Sequence, residues 1–192
     1  MGFLEAVHEA EVDLFRAMNL AGTNDPLDFA MLLFTFVGIS YVVVLICIPL
    51  WLRGRKDAAF DVVILVILAT LAAEALKLIV DRSRPSLELD NVRTIVSASG
   101  PSFPSAHATR AFAVACLICI VEPRKYGLTA LLFALFISVS RVYLGVHWPT
   151  DVLAGAVLGV VIAIVLEKYA KRSAGYQSLR KRTVGIFSRA RP

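Results

Sequence analysis

Five runs of apolar sequence, at residues 29–52, 58–80, 105–121, 128–144 and 149–169, constrain this chain more than any other feature. A helix that crosses the hydrocarbon core of a bilayer needs roughly 20 apolar residues, and each run approaches or exceeds that length, the third being the weakest. Inside lipid every backbone N–H and C=O must find a partner, which leaves helices as the solution for runs of this length. At 192 residues and 58% hydrophobic content, with a mean hydropathy of +0.73, the chain is too apolar for an ordinary soluble domain and long enough for one unit. The sequence predicts an all-α integral membrane bundle: five transmembrane helices plus an N-terminal amphipathic helix.

A formal net charge of +5 raises nucleic acid as a partner, but placement matters more than the sum. Arg53, Arg55 and Lys56 follow the first run, Arg124 and Lys125 the third, and Lys168, Lys171, Arg172, Arg180, Lys181, Arg182, Arg189 and Arg191 the end of the fifth. The other side holds Arg16, Arg82, Arg84 and Arg93, with Lys77, Arg110 and Arg141 at helix ends. The positive-inside rule then predicts a multi-pass cell-membrane protein with its N-terminus outside and its C-terminus cytoplasmic. Membrane lipids, and not nucleic acid, are the expected partners; oligomeric state is not legible.

Residues 1–26 read as an amphipathic helix and linker, 27–170 as the membrane domain and 171–192 as a basic cytoplasmic tail. In the first segment Phe3, Leu4, Val7, Leu14, Phe15 and Met18 follow helical spacing, opposite Glu5, Glu9, Asp13 and Arg16. An acidic polar face favours a cap over the bundle rather than a helix lying on anionic lipid. The tail mixes Arg, Ser and Gly with few apolar residues and reads as a flexible extension. Cys47, Cys116 and Cys119 fall inside apolar runs and read as small hydrophobes, since Cys116-x-x-Cys119 has no second ligand pair for zinc.

Three polar clusters interrupt this apolar frame, and the topology drawn from loop charge puts all three at one membrane face. They are Lys77…Arg84-Pro85, Pro104-Ser105-Ala106-His107 and Ser140-Arg141…His147…Asp151. Ionisable groups recurring at the ends of membrane helices mark a functional site. Lys77 and Arg84 are seven residues apart, close to two helical turns, so one helix face can present both until Pro85 ends or bends it. Lys77 can equally snorkel or pair with Glu74. Ser105 is placed to cap the third helix, whose first N–H groups form an anion site, and it can be both cap and ligand. His147 precedes Trp148-Pro149, with Pro149 suited to the first helical position. Asp151, four residues after His147, can take one imidazole proton and leave the other nitrogen free as a nucleophile. Singly, a histidine near an interface is a satisfied polar residue; a second histidine, an aspartate and several arginines together point to phosphoryl chemistry, because the arginine fork matches phosphate oxygens.

These clusters closely resemble the three signatures of the type 2 phosphatidic acid phosphatase family, membrane lipid phosphatases related to vanadium haloperoxidases. The patterns K-x6-R-P, P-S-G-H and S-R-x5-H-x3-D stand here as K-LIVDRS-R-P, P-S-A-H and S-R-VYLGV-H-WPT-D, in the same order and spacing. Ala106 is the departure, where the family usually has Gly, and the acidic first helix would replace the first of the family's usual six. The resemblance implies that His147, oriented by Asp151, attacks phosphorus and forms a phosphohistidine. His107 would protonate the leaving oxygen and later activate water. Lys77, Arg84, Ser105, Arg141 and the amides of Ala106 and His107 would hold the phosphoryl oxygens. The scheme requires no cofactor and no metal, and no carboxylates are spaced as a binuclear site.

A site at helix ends takes a headgroup from the interface while the tail stays in the bilayer, so a lipid phosphate is the expected substrate. A polyprenyl diphosphate of the undecaprenyl or dolichyl type is favoured, with phosphatidate and phosphatidylglycerophosphate as rivals. Arg82 and Arg110 are candidates for contact with a second phosphate, or else surface residues. The alternative of another class is a noncatalytic lipid transport or assembly protein that keeps an anion pocket.

Overall fold

The computed structural model describes residues 2–20 and 24–189, and among them all regular structure is helical. In chain order the α-helices are α1 (Phe3–Asn19), α2 (Asp25–Val37), α3 (Ser40–Val44), α4 (Cys47–Leu52), α5 (Lys56–Val80), α6 (Pro85–Glu88), α7 (Ala106–Val121), α8 (Arg124–Tyr143), α9 (Pro149–Lys168) and α10 (Ala174–Arg189). The chain is a multi-pass membrane protein. Its exposed surface carries the residues a soluble protein hides: Leu71, Leu78, Leu153 and Val157 are each more than 60% exposed. Such a belt is stable only against lipid.

The five apolar runs do not fold alike. Helices α5, α8 and α9 are each long and apolar enough to cross a membrane, whereas Asp25–Val37 and Val42–Leu52 meet at 70° and reach that length only as a pair. The break follows Gly38, where an added Cβ would stand 2.6 Å from Ile137 Cγ2 and 2.8 Å from His107 Cδ2. The run at 105–121 forms α7, of 16 residues, about 24 Å at 1.5 Å per residue and short of a ~30 Å core. That shortness is tolerated because α7 is the central helix, packed against α5, α8 and α9.

Close packing at α7 rests on α9. A Cβ on Gly155 would fall 2.6 Å from the Ser105 carbonyl, and one on Gly159 would fall 2.2 Å from that of Thr109. Small residues four apart let two helix backbones approach in this way. Below the contact, Val62, Leu65, Leu117, Ala163 and Leu166 form the main buried core.

The N-terminal helix lies across one end of the bundle, in contact with α8 and α9. Phe15 is fully buried beside Trp148 and Val142, and Asn19 donates to the carbonyls of Arg93 and Tyr143 at 2.8 Å each. Val7 and Leu14, expected on the same apolar face, are instead about half exposed. At the opposite end α10 corrects the expectation of a flexible tail. Tyr176 donates to Asp61 and its ring meets Phe60 edge-on at 5.8 Å, while Arg180 lies 3.5 Å from Asp61 and 3.7 Å from Asp57. These partners on α5 order a segment whose own composition is polar.

Candidate active site

Asp151 is the third residue of α9, whose first is Pro149. Its Oδ2 accepts the Trp148 N–H at 2.9 Å, capping the helix, and lies 3.4 Å from His147 Nδ1. Its backbone carbonyl accepts the Ser105 N–H at 2.9 Å, which joins the second and third clusters directly. His147 is buried, and that burial pushes its pKa down to about 4 against the opposing pull of Asp151. The ring is therefore neutral at neutral pH, the state in which an imidazole nitrogen can attack. Gly145 lets α8 turn into this loop: its φ is +80°, and a Cβ there would sit 2.5 Å from the Arg93 carbonyl.

The expectation that Lys77 and Arg84 share one helix face is overturned. Helix α5 ends at Val80, with Asp81 in the left-handed conformation, and Arg84 is extended at the start of α6. A residue before proline is driven out of the helical region, so Pro85 opens a helix instead of closing one. Lys77 does pair with Glu74, at 2.9 Å. The buried Arg84 guanidinium donates to the carbonyls of Val146 at 2.6 Å, Gly100 at 2.9 Å, Ser99 at 3.0 Å and Pro101 at 3.2 Å, holding the chain just ahead of His147.

Ser105 occupies the N-cap position of α7 without making the capping bond, and its fully buried Oγ has no partner within the protein. Arg110 donates one bond, at 3.3 Å to the Gly38 carbonyl, and Arg141 donates to Thr35 Oγ1; the buried Nε of each has no partner. Buried polar atoms are almost always satisfied, so three such atoms in one region mark where a ligand would complete the bonding. His107, on the first turn of α7, feels the charges of Arg141, Arg110, His147 and Lys77. Ala106 begins α7 in ordinary helical geometry and is buried, so its methyl group is accommodated where the family usually has glycine.

Arg110 is buried, not on the surface. Arg82, a candidate for contact with a second phosphate or else a surface residue, is partly buried and bonds Asp151 Oδ1 at 3.0 Å, Thr150 Oγ1 at 2.6 Å and Glu11 Oε2 at 2.6 Å. Glu11 and Thr35 have no place in the sequence motifs; both reach the site through tertiary packing. Gly155 and Gly159 were open to detection from their four-residue spacing.

A neutral, carboxylate-oriented histidine set among arginines at one end of lipid-facing helices is built for phosphoryl transfer, which places the chain among helical membrane phosphatases. Sequence comparison agrees: residues 58–174 match the PAP2 superfamily, and the chain belongs to that superfamily of hydrolases. It is 28% identical over 163 residues to undecaprenyl-diphosphatase BcrC of Bacillus subtilis, covering 82% of this chain and 83% of the relative. It is 32% identical to the bacitracin transport permease protein BcrC of Bacillus licheniformis, over 81% and 78% of the two chains. Among solved structures, Aquifex aeolicus LpxE superposes with a TM-score of 0.76 at 30% identity, over 82% of this chain and 94% of that one. The Bacillus subtilis PAP2-type phosphatidylglycerolphosphate phosphatase superposes with a TM-score of 0.72 at 25% identity, over 87% of each.

Proposed function

We propose that this protein hydrolyses a polyprenyl diphosphate of the undecaprenyl or dolichyl type to the monophosphate, through a phosphohistidine on His147. The observation that carries the reading is the set of buried, unpartnered donors on Ser105, Arg110 and Arg141 beside the His147–Asp151 pair. In the first step a His147 ring nitrogen attacks the terminal phosphorus, the P–O bond to the lipid monophosphate breaks, and His107 gives its proton to the leaving oxygen. The incoming phosphate charge favours the imidazolium form of His107 that this requires. Water then attacks the phosphohistidine, His107 takes its proton, and orthophosphate leaves. Lys77, Arg84, Ser105, Arg141 and the first amides of α7, at Ala106 and His107, stabilise the equatorial oxygens, and Arg110 takes part of the second phosphate's charge.

A lipid substrate is supported by an apolar cavity of about 380 Å3 between α2–α4, α7 and α8. One end of its wall includes Val37, Ala111 and Ile137, next to Gly38, Arg110 and the His107 ring, and Arg53, Glu122 and Tyr126 also line it. Undecaprenyl diphosphate is the named substrate of the Bacillus subtilis relative. Phosphatidylglycerophosphate is a second reading, favoured by the solved structure at TM-score 0.72. The positive-inside rule supports five spans, with the bent α2–α4 segment as the first, and an extracytoplasmic site and N-terminus. The division at residues 26/27 and 170/171 belongs to the same proposal.

The test is phosphate release by the purified protein in detergent from undecaprenyl diphosphate, phosphatidate and phosphatidylglycerophosphate, with a His147→Ala control. Fastest release from the diphosphate, lost in the variant, is expected; faster release from a glycerophospholipid would move the substrate, and release unaffected by the variant would overturn the mechanism.

A further inference from the structure

Asp151 has two carboxylate oxygens, and His147 accounts for one. Oδ2 serves the nucleophile and the Trp148 amide; Oδ1 is held by Arg82 Nη1 at 3.0 Å. The carboxylate is fully buried, so the direction of each oxygen is set by these bonds and not by water. Arg82 is itself gripped from outside the membrane motifs. Glu11, from the middle of α1, takes its Nη2 at 2.6 Å, and the Arg82 guanidinium lies 5.1 Å from the centre of the Trp148 ring. The second oxygen of Glu11 accepts the Thr150 N–H at 3.1 Å and also the Thr150 hydroxyl. Glu11 therefore sits on the first turn of α9, where a carboxylate is favoured by the helix dipole.

Charge balance gives the arrangement its logic. A bare arginine against Asp151 would draw the carboxylate away from the imidazole and lower the stability of a positively charged His147. A glutamate on the far side of that arginine offsets its charge while leaving its geometry in place. We propose that Arg82 and Glu11 are positioning residues for the His147–Asp151 pair: Arg82 fixes the second carboxylate oxygen, and Glu11, carried on α1, balances Arg82. The proposal rests on the reading of His147 as nucleophile and extends it to the N-terminal helix. That helix becomes part of the catalytic machinery's support as well as a cover.

His147 is surrounded by other charged groups. Arg141 comes from α8, Arg84 from the start of α6, His107 from α7 and Asp151 from α9; α1 contributes Glu11 and, across the Trp148 ring at 6.0 Å, His8. Arg84 and Arg141 stay constant in the variants below, so a change can be assigned to the Glu11–Arg82 arm.

The full-length chain in detergent is compared with Arg82→Gln, Arg82→Lys, Glu11→Gln and the Arg82→Gln/Glu11→Gln double variant. Phosphate release is measured from a polyprenyl diphosphate and from the matching monophosphate, and the His147 titration is followed by NMR of labelled histidine. Arg82→Gln is expected to lower kcat roughly 10- to 100-fold, equally on both substrates, with KM within about twofold, as loss of orientation does. Arg82→Lys, which keeps the cation, recovers part of this. The His147 midpoint moves up in Arg82→Gln, where a cation is lost, and down in Glu11→Gln, where that cation is unbalanced; the double variant lies near the single Arg82 variant. A rise in KM with a larger loss on the diphosphate would overturn the proposal and make Arg82 a substrate ligand. Unchanged kcat and titration beside a lowered melting temperature would also overturn it, leaving the α1 contact structural. Should the wild type release phosphate from neither lipid, the substrate reading fails while the NMR midpoints still decide the relay.

Discussion

The two ends of the bundle both bury charge, and they do so by opposite rules. At the end where α10 docks, carboxylates and cations are matched: Asp61 receives Lys171 at 2.9 Å, Arg180 at 3.5 Å and the Tyr176 hydroxyl, and Glu122 lies between Arg55 at 3.3 Å and Arg53 at 3.7 Å. At the other end Arg84, Arg110 and Arg141 are buried with no salt bridge among the described residues, held by carbonyls and a threonine hydroxyl. Burying a cation without a counter-ion is costly, and a fold can keep three of them together only where an anion completes the set. Matched charge fastens a helix; unmatched charge leaves donors that an anion can satisfy.

Substitutions break this comparison most sharply at His147. His147→Ala is expected to lower phosphate release by about 10⁴-fold or more, since it removes the proposed nucleophile. The mirror experiment is Asp61→Ala, which leaves Lys171 and Arg180 beside an empty position. It should cost about 3 kcal/mol of stability, seen as a lower melting temperature in detergent, with kcat essentially unchanged. Arg141→Ala, at the unmatched end, should do the reverse and reduce kcat roughly 10²- to 10³-fold at near-constant melting temperature.

A pH titration of stability sharpens the same contrast. His147 in the folded protein stays neutral down to about pH 4, whereas in the unfolded chain it takes a proton near pH 6.5. The unfolded state thus binds more protons between those values, so stability is full above pH 6.5 and falls as pH drops toward 4, by up to about 3 kcal/mol. Thermal melts of wild type and His147→Gln should diverge only in that window. The smallest effect is Ser105→Ala. Because the Ser105 hydroxyl caps nothing, its removal should leave the melting temperature alone and cost about tenfold in kcat, one hydrogen bond to a charged phosphoryl oxygen.

Much of the candidate site is legible because its residues are local in sequence. His147, Asp151 and Pro149 lie within five residues and fold as helix-start rules require, and alternating loop charge puts the three clusters at one end. What escaped detection depends on distant partners. Glu11 is one of several acids on α1, and nothing local marks it as the one that meets Arg82, 71 residues away. The order of α10 likewise depends on Asp61, 115 residues before Tyr176. The end of α5 is hidden for a different reason: its apolar run continues to Val80, and Pro85, four residues after Asp81, fits a helix end or bend in the sequence as well as the helix start that it is.

The most direct measurement is to trap the intermediate. The purified protein is mixed with a polyprenyl diphosphate labelled at the terminal phosphate, quenched in alkali, where phosphohistidine survives, and mapped by mass spectrometry. A phosphoryl group on His147, absent from His147→Asn and discharged as orthophosphate with time, is the predicted result. Steady turnover with label on no histidine, or on His107 in place of His147, would contradict it.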